Sequence, residues 1–198
     1  MVLPMFPSEF LSLARDWCRG RNWLVRLPVW LCLVWIFVQH LRDPLYTSIF
    51  GGLNLGVHEL GHVIFSPFGE FVGVAGGTIA QCSLPLIGMV MFWRQGDFFA
   101  LTFGLGWLST NLFNVAVYCG DARAMELPLV SIGGGEGGET IHDWDYMLDR
   151  FHLLNYDHTI ATLIRLSAVS IMLISLAFGA WLLWRMIRDR DEAPSANL

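Results

Sequence analysis

The chain has 198 residues, 55% of them hydrophobic, with a mean hydropathy of +0.52 and a formal net charge of −5. That composition is too apolar for an ordinary soluble domain, and its apolar residues are grouped into long runs, so the expectation is an all-α polytopic transmembrane helix bundle of about five segments in a single membrane-embedded domain. All twelve basic residues are arginines and the negative charge gathers between positions 121 and 157, which excludes a nucleic-acid partner that would need a basic patch. Cys18, Cys32, Cys82 and Cys119 show neither a CxxC pair nor zinc-finger spacing, so no disulfide framework is expected.

In chain order, residues 1–22 combine Arg15, Arg19 and Arg21 with apolar side chains and read as an interfacial N-terminal segment. No small-residue cleavage site follows the first apolar run, as a cleavable signal would require. Residues 23–41 form the first expected span, with Trp23, Trp30 and Trp35 as interface anchors. The arginines before it favour an inside N-terminus, whereas Arg185, Arg188 and Arg190 at the other end also prefer the inside.

Residues 45–68 form the second expected span. Its only ionisable side chains besides Tyr46 are His58, Glu59 and His62, the ends and second position of an HExxH motif. Positions i and i+4 share a helix face, so His58 and His62 can offer two imidazole nitrogens to one ion, and Zn²⁺ is the expected cofactor. Glu59 is the expected general base on the metal's water. Ionisable groups at membrane depth are costly and point to function. Gly52 and Gly56 have the small-xxx-small spacing that admits a neighbouring helix, and Pro67 is expected to end the helix.

The glycine-rich segment 69–77 is expected to be a hairpin or extended loop dipping toward the site, offering an edge to an extended substrate. Residues 78–93, with Pro85 inside, read as a kinked span or re-entrant segment, and residues 98–118 as a fourth span. Asn111, Asn114, Tyr118 and Asp121 follow at spacings of three, four and three on one polar face. If the three core segments alternate in direction, Asp121 reaches the same membrane side as His62, which makes it the expected third zinc ligand. Residues 126–159 form an acidic, glycine-rich loop carrying Gly133 to Gly138 and then Glu139, His142 and Asp143. His142 is the alternative third ligand. Asp143 is a suitable donor too, as ligand, as support for a ligand or as part of a lid; the competing reading is a helix start capped by Thr140 or Asp143, with Met147, Leu148 and Phe151 as its buried stripe. Residues 160–184 are the last span, and 185–198 a polar tail.

These residues resemble the site-2 protease family of intramembrane zinc metalloproteases, which carry HExxH on one core helix and, two helices later, an asparagine-bearing stretch leading to an Asp-Gly motif. The resemblance runs over residues 45–125: HExxH is complete, and Asn111 and Asn114 precede Gly120 and Asp121, but Ala122 stands where the family has glycine and its prolines are missing. The resemblance implies a zinc metalloprotease of the bacterial inner (cell) membrane. Such an enzyme hydrolyses a peptide bond in or near a transmembrane segment of a membrane-protein substrate, with His58, His62 and Asp121 on the metal, Glu59 as base, and Asn111 and Asn114 on the substrate backbone. Two other functions fit the same residues: a membrane zinc hydrolase acting on a lipid amide or ester, and a non-enzymatic metal or ion transport protein. The sequence is silent on oligomeric state.

Overall fold

The computed structural model describes residues 7–127 and 142–189, and among them the chain is entirely helical, without a strand. The helices are α1 (Pro7–Cys18), α2 (Leu27–Arg42), α3 (Gly51–Phe65), α4 (Glu70–Gln95), α5 (Phe98–Gly120), α6 (Asp143–Arg150) and α7 (Asp157–Arg188). The glycine-rich stretch expected at 133–138, with Glu139 and Thr140, lies outside the described residues.

Among the described residues, three helices are long and apolar enough to cross a membrane: α4, α5 and the helix over Leu154–Arg188 that includes α7. At 1.5 Å per residue their lengths exceed the roughly 30 Å of a hydrocarbon core. The apolar runs expected as first and second spans are shorter as helices. α2 has 16 residues and α3 has 15, or about 24 and 23 Å, less than the core thickness. Arg42, Asp43 and Pro44 follow the first run, and Pro67 ends the second within a 3₁₀ turn at Ser66–Phe68.

Segment 69–77 is a correction. It is neither hairpin nor loop but the first two turns of α4, which runs unbroken from Glu70 through Pro85 to Gln95. Its glycines serve helix packing. A Cβ on Gly76 would fall within 2.7 Å of the Gly61 carbonyl oxygen, so the α3 and α4 backbones touch there. Gly52 and Gly56 have no such role: both are exposed, and a Cβ on either meets nothing within 4 Å. Small-residue spacing shows where close approach is possible; shape complementarity over the whole face decides where it happens.

Gly96, with φ of 71°, closes α4 in the left-handed region, and the Asp97 carboxylate then accepts from the Phe99 and Ala100 amides to start α5. α5 and α7 pack through small polar residues. Ser109 Oγ donates to the Ala168 carbonyl at 2.7 Å and Ser175 Oγ to the Thr102 carbonyl at 2.6 Å. At one end, Ala14 and Cys18 of α1 join Phe98, Phe99, Leu182 and Met186 in an apolar cluster, so the N-terminal segment is packed onto the bundle.

Near the other end, Arg123 donates two hydrogen bonds of 2.7 Å to Asp157, a fully buried carboxylate at the first position of α7. Removing the cation leaves that charge without its bidentate partner. Because Arg123 is itself well exposed, solvent screens part of that loss. Arg123→Met is therefore expected to lower the thermal midpoint in detergent, and Asp157→Asn in the same chain to recover part of it; an unchanged midpoint for the single variant removes the pair as a stabilising element.

Candidate metal centre

His58 and His62 lie one turn apart on the face of α3 that meets α4. Their outer ring nitrogens are engaged. His58 Nδ1 lies 3.0 Å from Gln81 Oε1, and His62 Nδ1 lies 2.9 Å from the Gly73 carbonyl oxygen. Both partners are acceptors, so each imidazole carries its proton on Nδ1 and turns the Nε2 lone pair inward. Outer hydrogen bonds of this kind hold metal-binding histidines in one tautomer and orientation.

The two Nε2 atoms converge on one carboxylate oxygen. Asp143 Oδ2 lies 2.9 Å from His58 Nε2 and 3.3 Å from His62 Nε2. Zinc bonds of 2.0–2.2 Å in tetrahedral geometry put neighbouring ligand atoms roughly 3.3–3.6 Å apart; the His62–Asp143 separation is of that size and the His58–Asp143 separation is shorter. Glu59 lies beside the two histidines: ligand atoms of His58, Glu59 and His62 lie within 4.8 Å of one another. Above this group sits Gly77. A Cβ there would lie 2.5 Å from His58 Nε2 and 2.6 Å from His62 Nε2, so only a glycine lets both imidazoles stand against α4 with their nitrogens converging. With two imidazole nitrogens and a carboxylate, this group could hold a metal ion.

Asp143 is buried at the junction of α3, α4 and α6. It occupies the first position of α6, and its own amide donates to the Tyr118 hydroxyl at 3.3 Å.

Asp121, the expected third ligand, stands elsewhere. Its carboxylate accepts from the Glu126 and Leu127 amides at 3.0 and 3.1 Å, closing the turn after α5, and lies 3.4 Å from His142 Nε2. His142, the alternative, caps α6: its Nδ1 accepts from the Asp145 amide at 3.2 Å. Neither meets His58 or His62, whereas their neighbour Asp143 meets both. The helix start read as a competitor to the metal site is therefore present together with it, although the cap is His142 and not Thr140 or Asp143. Of the expected buried stripe, Leu148 is buried and Phe151 is exposed. Asn111 is fully buried, its Nδ2 donating to the Trp107 carbonyl, while Asn114 borders a cavity of about 470 Å³. His58, Glu59, Gln81 and Tyr118 also line that cavity, and Leu55 and Val115 make part of its apolar wall. Cys119 Sγ faces the Asp157 carbonyl, away from the cluster, and all four cysteines are free.

The site residue missing from the sequence reading is Gln81, which shares one face of α4, at spacings of four, with Gly73 and Gly77 of the segment expected to approach the site. One signal for Gln81 existed, a lone glutamine inside an apolar membrane segment with a glycine one turn before it.

Compared with protein-family models, curated proteins and solved structures, the chain matches none.

Proposed function

We propose that this membrane protein is a zinc-dependent intramembrane endopeptidase, with His58, His62 and Asp143 holding the metal and Glu59 acting as general base. One observation carries the reading: two imidazoles locked in the same tautomer converge on a single carboxylate oxygen beside the HExxH glutamate. Bound there, zinc supplies Lewis-acid activation of a water molecule and of the scissile carbonyl. Glu59 takes the proton of the attacking water and passes it to the leaving amine. Gln81 and the Gly73 carbonyl keep the imidazoles oriented throughout. Asn114, bordering the cavity, is the candidate donor to an unwound substrate backbone; Asn111, enclosed within the bundle, supports the helix. Segment 69–77, being helical, offers no edge for an extended chain.

The mostly apolar cavity beside His58 and Glu59 also suits an acyl chain, which favours a lipid amide or ester as the second substrate class. The two are separated by offering the purified protein a membrane-spanning peptide and an N-acyl lipid in the same detergent. Wild-type protein is expected to hold about one zinc per chain, a stoichiometry set by a single three-ligand site, and to cleave the peptide. Metal content that is unchanged in the His58→Ala/His62→Ala variant rules out the metal site. Cleavage of the lipid alone moves the assignment to the second class.

A further inference from the structure

Asp121 and His142 hold a buried arrangement that the metal-site reading leaves unused. His142 is 3% exposed. Its Nδ1 accepts the Asp145 amide, so that nitrogen carries no proton and Nε2 must carry it. The Nε2–H is completely enclosed and makes no well-aligned hydrogen bond; the group beside it is Asp121 Oδ2, 3.4 Å away. An enclosed N–H facing a carboxylate fixes the tautomer, because the opposite one would set two acceptors against each other and leave the Asp145 amide without its cap. Tyr118 backs the same group, its ring 4.3 Å from the His142 ring and its hydroxyl accepting from the Asp143 amide.

Beyond its first turn, the contacts of α6 among the described residues are mainly apolar. Leu148 is buried with Cys119 and Ala122, and Phe71 of α4 touches the rings of Tyr146 and Phe151. Such apolar anchors fix where the helix lies but weakly constrain its rotation. A ligand must be held within about half an ångström of its working position, so rotation matters at Asp143.

Resting on the metal-site reading, we propose that Asp121 and His142 form a clasp that positions Asp143 for the metal. Asp121 holds the Nε2–H of His142, His142 Nδ1 thereby caps α6, and the capped first turn presents the Asp143 carboxylate to His58 and His62. Asp121 is then a positioning residue and not a ligand.

The test is a Co²⁺ titration of the full chain in detergent, reading both affinity and the visible d–d bands, whose intensity reports coordination geometry. Asp143→Ala is expected to lose the tetrahedral bands at any Co²⁺ concentration. Asp121→Ala and His142→Ala should weaken binding by roughly 10- to 100-fold, the scale for loss of an outer partner, yet recover tetrahedral bands at saturation. His142→Asn supplies a strong cap without the Asp121 link and should regain most of what His142→Ala loses. Should Asp121→Ala fail to fold, Asp121→Asn keeps one acceptor oxygen and is expected to retain the bands with a smaller loss.

The clasp is overturned if the Asp121 variants abolish the bands at saturation, which makes Asp121 a ligand, or if they leave affinity and spectrum at wild-type values. It is equally overturned if His142→Asn does no better than His142→Ala. Co²⁺ binding unaltered in His58→Ala/His62→Ala refutes the metal reading and the clasp with it; loss of binding there with unaltered Asp121 variants refutes the clasp alone.

Discussion

Gly77→Ala is expected to empty the metal site while leaving the helix that carries it intact. One added methyl group would stand about 2.5 Å from the Nε2 atoms of both His58 and His62, little more than the zinc–nitrogen bond length of 2.0–2.1 Å. No atoms fit at that separation without a bond, so the substitution drives both imidazoles out of the positions in which their Nε2 atoms converge. Its effect should exceed the roughly 10- to 100-fold loss that follows removal of an outer partner, and bound zinc should fall from one per chain to a trace. Helix propensity works in the opposite direction, since alanine for glycine inside a helix contributes about 0.5–1 kcal/mol of stability. Gly88→Ala is the matched control: it lies on the same helix, and a Cβ there meets only the Phe92 ring, at 3.8 Å. Elemental analysis after zinc loading, with thermal unfolding of the metal-free proteins alongside, checks the expectation. Full zinc occupancy in Gly77→Ala would place the metal elsewhere.

Glu59→Gln is expected to separate chemistry from metal binding. The amide keeps the size of the side chain and cannot take a proton from water, while His58, His62 and Asp143 are untouched. General acid–base catalysis contributes about 10²- to 10⁴-fold, so hydrolysis should fall by at least that order in kcat with zinc content near the wild-type value. This outcome also distinguishes a hydrolase from a transport protein, in which a carboxylate lost from the pathway would alter ion passage and leave no hydrolysis to measure. Cleavage of a membrane-spanning substrate at the wild-type rate would remove Glu59 from the mechanism, and the assignment as a hydrolase through this motif would go with it.

What the amino-acid sequence by itself determined is local. Hydropathy marked the membrane segments because burial in lipid is a property of composition over one helix length. The i, i+4 spacing of His58 and His62 placed both imidazoles on one face because helix geometry is the same in every protein. Pro67 marked the end of α3, and the acids at 143 and 145 marked the start of α6, through backbone chemistry confined to a few residues.

What only the tertiary structure decided is which groups meet. The carboxylate that meets both imidazoles comes from a residue 85 positions beyond His58, and one residue decides it: Asp143 reaches them while His142 turns to Asp121. Periodicity on α5 put Asp121 on one face with Asn111, Asn114 and Tyr118 but carried no information on which carboxylate would meet the histidines. The glycines of 70–77 read as a loop because glycine disfavours an isolated helix; packed against α3, the same glycines let two backbones touch and let both imidazoles stand against α4. Segment lengths mislead for a related reason. An apolar run shows that a stretch is buried, whereas the turn chemistry at its ends and the helices against it set how far it extends, and so α2 and α3 fall short of a full span while α4 exceeds one.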